Sequence, residues 1–210
     1  MTDTVLLHHA PMSRGNIAFW MLEEMGIPYR LNLLSLDRQD QKQPAYLAVN
    51  PMGKVPALEH KGVIVTEVAA VCAYLADAFP ETKLAPKLDD PRRGTYYRWM
   101  FFAPGCLEMA VFDRMNGRDA GQARASGYGD YDTTIETVAQ AVAKSPYVLG
   151  EQFSTADIIL GSHIIWGMMM KGLPERAEFT AYARRLQARP AWQRTLAKNQ
   201  ALHAELQPKA

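Results

Sequence analysis

The sequence predicts an α/β domain followed by an all-helical one. Three observations carry this. Short apolar runs alternate with helical periods over the first eighty residues, a stretch rich in proline, aspartate and lysine interrupts them, and helical periods dominate the rest of the chain.

The first strand is the buried apolar run Val5 to His8, closed by Ala10-Pro11. Ile17, Trp20, Met21 and Met25 then recur at helical spacing, with Gly26 and Pro28 as a stop, which predicts a helix over 13–25. Tyr29, Leu31 and Leu33 alternate as a second strand. Ala57 to His60 and Val63 to Thr66 read as two more strands joined by the turn at Lys61-Gly62. Val68, Val71, Cys72 and Leu75 then give one face of a closing helix that Pro80 ends. The resulting order, βαβ then ββα, is that of a thioredoxin-like domain over residues 1–80.

Residues 81–90 read as a linker, and 91–210 as the all-α C-terminal domain. Asp90-Pro91 suits an N-cap followed by the proline favoured at the first helical position. Helices are expected near 91–115, 130–143, 155–170, 176–188 and 191–199. The glycine-rich stretch 116–129 is expected to be a mobile connection.

The charges nearly cancel, 23 Lys+Arg against 22 Asp+Glu, and are scattered, so neither nucleic acid nor an anionic membrane is an expected partner. Cys72 and Cys106 fit neither a disulfide framework nor a zinc spacing, and no metal site is expected among the five histidines. The N-terminus has no signal-peptide pattern, and no run nears the ~18 apolar residues that would span a bilayer. These features predict a cytoplasmic protein.

Three segments carry a family likeness. Asn50-Pro51-Met52-Gly53-Lys54-Val55-Pro56-Ala57-Leu58, Thr66-Glu67-Val68-Ala69-Ala70-Val71-Cys72-Ala73-Tyr74-Leu75 and Gly150-Glu151-Gln152-Phe153-Ser154-Thr155-Ala156-Asp157 together resemble, in order and spacing, the signatures of cytosolic glutathione transferases. The resemblance spans essentially the whole chain. It implies glutathione as co-substrate, a homodimer, a role in detoxification, and a cis peptide between Val55 and Pro56 that turns Val55's N–H and C=O toward the cysteinyl residue of glutathione. Glu67 and the amide of Val68, at a helix N-terminus, would receive the γ-glutamyl end. The family's serine is replaced here by Val68, so the side-chain hydrogen bond is lost while the backbone N–H survives. The third segment has the spacing of a capping box, Ser154 with Asp157, and locates a buried helix.

The start of the first helix reads Met12-Ser13-Arg14-Gly15, without the Cys-x-x-Cys of dithiol exchange. Ser13 resembles the hydroxyl of serine-type glutathione transferases, which stabilises the thiolate of bound glutathione; Arg14 is the alternative. The glycyl carboxylate needs a cation, from Lys42 or Arg38. Met109, Phe112 and Trp166 are the expected walls of an apolar site for a small electrophile. The expected activity is attack of the thiolate on that electrophile. The alternatives are a noncatalytic binding protein on the same fold, or a glutathione-dependent peroxidase, isomerase or dehalogenase.

Overall fold

A computed structural model describes residues 4–118, 121 and 123–207. They form two compact units: one takes the chain up to Phe79 together with the residues from Arg189 onward, the other is Pro80–Ala188.

In the first unit, strands β1 (Val5–His9), β2 (Tyr29–Leu33), β3 (Ala57–His60) and β4 (Val63–Thr66) lie in the order β2-β1-β3-β4. β1 and β2 are parallel, while β1·β3 and β3·β4 are antiparallel. Helix α1 (Gly15–Met25) connects β1 to β2, and α3 (Val68–Ala78) follows β4. Between β2 and β3 lie a short turn of 3-10 helix at Asp40–Lys42 and the one-turn helix α2 (Pro44–Leu47), which no apolar period announces. Phe19, Trp20, Met21 and Leu22 of α1 are fully buried with Val5, Leu7, Leu58, Val71, Cys72 and Leu75. Burial of every residue from Ile17 to Leu22 explains why the apolar run in the middle of α1 is continuous.

The second unit is helical: α4 (Arg92–Phe102), α5 (Glu108–Met115), α6 (Tyr131–Lys144), α7 (Thr155–Met169) and α8 (Ala177–Gln187). The single helix expected over 91–115 is interrupted by a π-helical turn at Ala103–Leu107. Pro104 supplies the reason, because its ring displaces the preceding turn and removes an N–H from the ladder. Asp157 closes the capping box of α7 with Ser154. Its buried carboxylate accepts from Ser154 N–H at 2.8 Å, Val148 N–H at 2.8 Å and Tyr182 O–H at 2.7 Å. Part of the expected mobile connection, residues 119, 120 and 122, lies outside the described residues.

Helix α9 (Pro190–Leu206) runs past the expected 191–199 and belongs to the first unit, against α1. Trp192 meets Trp20 edge-on at 4.8 Å. The Arg189 guanidinium grips Glu24 with two bonds, at 2.7 and 2.8 Å. Arg194 and Lys198 converge on the buried Glu23, at 3.1 and 2.6 Å. These partners are more than 160 residues apart, so nothing local in the sequence pairs them.

Candidate active site at the strand ends of the first unit

Strand register gathers the candidate residues. His8 pairs with Ala57, and Ala57 with Thr66. The end of β1, the start of β3 and the end of β4 therefore share one end of the sheet. The parallel pairing of β1 with β2 brings the segment after Leu33 to that same end. Ser13, Lys42, Val55, Pro56, Glu67 and Val68 all sit on connections at this end.

The Val55–Pro56 bond is cis. The turn before it is held by two side chains: Tyr46 O–H and Asn50 Nδ2–H both donate to the Lys54 carbonyl, at 2.6 and 2.8 Å. Burial pushes the Tyr46 phenol up to about 12, so it remains a neutral donor. Asn50, itself buried, also accepts from Met52 N–H at 3.1 Å. Gly53 has φ +58, and a Cβ there would come within 2.8 Å of both the Gln41 carbonyl and Lys42 Nζ. Only glycine fits this close approach. With the turn fixed, the N–H and C=O of the half-buried Val55 have no partner among the described residues.

Lys42 Nζ donates to the Met52 carbonyl at 3.2 Å, so its ammonium lies against this turn. Arg38 instead pairs with Asp40 at 3.0 Å. Of the two cations read from the sequence, Lys42 is the one beside the Val55 turn.

Helix α3 starts at Val68 with no side-chain cap. Its first N–H groups have no intrahelical acceptor and, with the helix dipole, form an anion site. Glu67 precedes it at φ 66, ψ 120, outside the left-handed well. A residue held there costs about 1–3 kcal/mol. The strain sits where an exposed carboxylate meets an uncapped helix start.

Ser13 lies just ahead of α1, which starts at Gly15 rather than at 13, because the turn through Met12 (φ 57) reverses the chain first. The Ser13 hydroxyl gives its proton to the Ala10 carbonyl at 2.6 Å and accepts from Gly15 N–H at 3.0 Å. Neither cysteine offers a competing thiolate: burial pushes both thiols up, Cys72 completely enclosed and Cys106 partly.

In the second unit, Met109 and Phe112 of α5 leave 47% and 40% of their surface exposed, and Trp166 of α7 is half-buried. Sequence reasoning quoted Asn50 only as part of a motif and missed Tyr46. An Asn-Pro-x-Gly turn next to a fixed strand start was the available sign that a side chain must bind the turn's carbonyls. Among the described residues no cluster of three metal-ligating side chains occurs, and no helix is long and apolar enough to cross a membrane.

Residues 13–78 match the family pattern "Glutathione S-transferase, N-terminal domain". The chain is 27% identical over 206 residues to the glutathione S-transferase hmp2 of Hypomyces subiculosus, covering 90% of this chain and 95% of that one. It is 26% identical over 153 residues to the glutathione S-transferase GstA of Escherichia coli O157:H7, covering 72% and 76%. Among solved structures, a glutathione transferase homologue from Sulfitobacter with bound glutathione superposes with a TM-score of 0.75 at 27% identity, over 94% of this chain and 99% of that one. A theta class glutathione S-transferase from Xanthomonas axonopodis with glutathione bound gives a TM-score of 0.73 at 28% identity, over 92% and 97%.

Proposed function

Since this chain belongs to the glutathione S-transferase family, we propose that it is a glutathione transferase that binds its co-substrate at the strand ends of the first unit and delivers the thiolate to a small apolar electrophile. The observation that carries the placement is the set of unspent backbone groups there. Val55's N–H and C=O, and the first amides of an uncapped α3, open at the same end of one sheet.

Glutathione matches that set part by part. Its cysteinyl backbone pairs with Val55 as a short added strand. The γ-glutamyl carboxylate meets the amides at Val68, and Glu67 takes the ammonium. Lys42 faces the glycyl carboxylate. The sulfur then lies over the start of α1, beside Ser13. The protein supplies no covalent intermediate; it lowers the pKa of the thiol from about 8.5 and holds the thiolate in a reactive pose.

Ser13 must turn to serve the thiolate, since its one proton is given to Ala10. The exchange trades a neutral hydrogen bond, worth about 0.5–1.5 kcal/mol, for one to a charged acceptor, worth about 1.5–3 kcal/mol. A net gain of about 1 kcal/mol remains, and the α1 dipole adds about 0.3–1 kcal/mol.

Met109, Phe112 and Trp166 form the apolar wall for the electrophile, supported by the exposure of the first two. A homodimer is supported by apolar side chains left in water. These are Tyr97 and Phe101, one turn apart on α4 and 36% and 67% exposed, and Met52 in the first unit at 65%. Two free cysteines agree with a cytoplasmic, reducing location and a role in detoxification. One observation favours a noncatalytic binding protein: the Ser13 proton is already spent, and Val68 replaces the family's serine. Turnover of a panel of halogenated aromatics, enals and organic peroxides with glutathione decides. Conjugation of the first two supports the reading; glutathione binding with no turnover supports the noncatalytic one.

A further inference from the structure

The second unit holds a cavity of about 390 Å³ between the end of α5 and the start of α6, lined by Ala110, Arg114, Gly117, Arg118, Tyr128, Asp130 and Tyr131. We propose that it is a second small-molecule site, which takes an aromatic carboxylate between the guanidinium groups of Arg114 and Arg118.

The local backbone brings the two arginines together. Helix α5 ends in a Schellman motif: Gly117 N–H donates to the Arg114 carbonyl at 3.3 Å, and Arg118 N–H to the Asp113 carbonyl at 2.9 Å. Gly117 takes the required left-handed conformation at φ +62. This reversal folds Arg118 back over the helix end, so both residues line one cavity.

The acids near them are already engaged by neutral donors. Asp130 caps α6 through Thr133 N–H at 2.8 Å, and Asp113 accepts from Tyr128 O–H at 2.9 Å. Neither guanidinium meets a carboxylate among the described residues. Asp130 lines the same cavity and keeps its charge, but its carboxylate is turned to the α6 cap and bonds neither guanidinium, so an arriving carboxylate can accept their paired N–H bonds.

The remaining wall explains the aromatic part of the ligand. Tyr131 is pinned by its O–H to the Gly172 carbonyl at 2.8 Å, and Arg114 lies over its ring at 5.3 Å. Ala110 adds a small apolar floor. A planar ring has two tyrosines and a guanidinium plane to stack on here. On α5, Ala110 and Arg114 lie one turn apart on a different face from Met109 and Phe112, and no lining residue belongs to the unit that carries Ser13, Val55 and Glu67.

Calorimetric titration with 2-naphthoate and with its neutral analogue 2-naphthamide tests the proposal, with glutathione titrated in parallel. Wild type binds the naphthoate about tenfold or more tightly than the amide, and added salt narrows the gap. The double variant Arg114→Gln/Arg118→Gln binds the two equally weakly, Arg114→Lys/Arg118→Lys lies between, and glutathione affinity is the same in all three. Equal binding of both probes by wild type, undiminished naphthoate binding by the glutamine variant, or displacement of naphthoate by glutathione overturns it. Loss of glutathione binding alone leaves this cavity standing and instead refutes the placement of the co-substrate.

Discussion

Removing the Ser13 hydroxyl isolates its part in the chemistry. In Ser13→Ala the thiolate loses a charged hydrogen bond of about 1.5–3 kcal/mol, but the protein also stops breaking the 2.6 Å bond from Ser13 to Ala10, worth about 0.5–1.5 kcal/mol. The net loss is about 1 kcal/mol, which at roughly 1.36 kcal/mol per unit raises the bound thiol pKa by about one unit. Below both pKa values the conjugation rate falls about tenfold, and the gap closes as pH rises above them. Glutathione affinity changes little below both pKa values, where the bound thiol is protonated in either protein, and falls by up to about tenfold above them. Ultraviolet absorbance of enzyme-bound thiolate across a pH titration, for wild type and Ser13→Ala, reads the shift directly. Superimposable curves would show that Ser13 only holds the Ala10–Gly15 turn, and the reasoning about its proton would fail.

Three further variants probe other parts of the molecule. Val68→Ser restores a hydroxyl at the start of α3 and tightens glutathione binding by no more than about tenfold; weaker binding in calorimetry contradicts the anion site there. Asp157→Ala strands several buried donors and lowers stability by more than about 3 kcal/mol in urea titration, whereas a loss under about 1 kcal/mol would show that water replaces the carboxylate. Burial alone would raise the Glu23 carboxyl, but bonds from Lys198, Tyr29 and Arg194 outweigh it and hold it below its ordinary value. A depressed folded-state pKa contributes stability above the unfolded value, about 4.5, that is lost as pH falls through the folded one. Thermal melts of Glu23→Gln should therefore depend less on pH below about 4.5 than those of wild type; parallel curves contradict the linkage.

The strands and the two-part architecture were legible because their signals are local. Alternation at Tyr29, Leu31 and Leu33, the Lys61-Gly62 turn and the stop at Pro80 each act within a few residues. The cis bond at Pro56 and the capping box at Asp157 were legible only through family resemblance and spacing. What escaped depends on distance or on competition. Glu23 and Glu24 find Arg194, Lys198 and Arg189 across more than 160 residues, so the attachment of α9 to α1 has no local sign. The break at Ala103–Leu107 lay inside a continuous apolar period, where Pro104 overruled the pattern. At the site, Val55 and Glu67 were expected through the family resemblance, and Lys42, with Arg38, as a cation in the loop after β2. Residue types could not show that the Ser13 proton goes to a carbonyl, because Ala10 offers its oxygen only once the Met12 turn has formed.

Occupation of the strand ends of the first unit by glutathione, through Val55 and the start of α3, is tested most directly by amide ¹⁵N–¹H spectra of the isotopically labelled protein titrated with glutathione. Saturable shifts are expected at Val55, Val68 and Ala69, with about a tenfold or greater rise in Kd for Glu67→Ala, where the ammonium loses its charged partner. Shifts confined to other residues, or a Glu67→Ala titration identical to wild type, would contradict that placement.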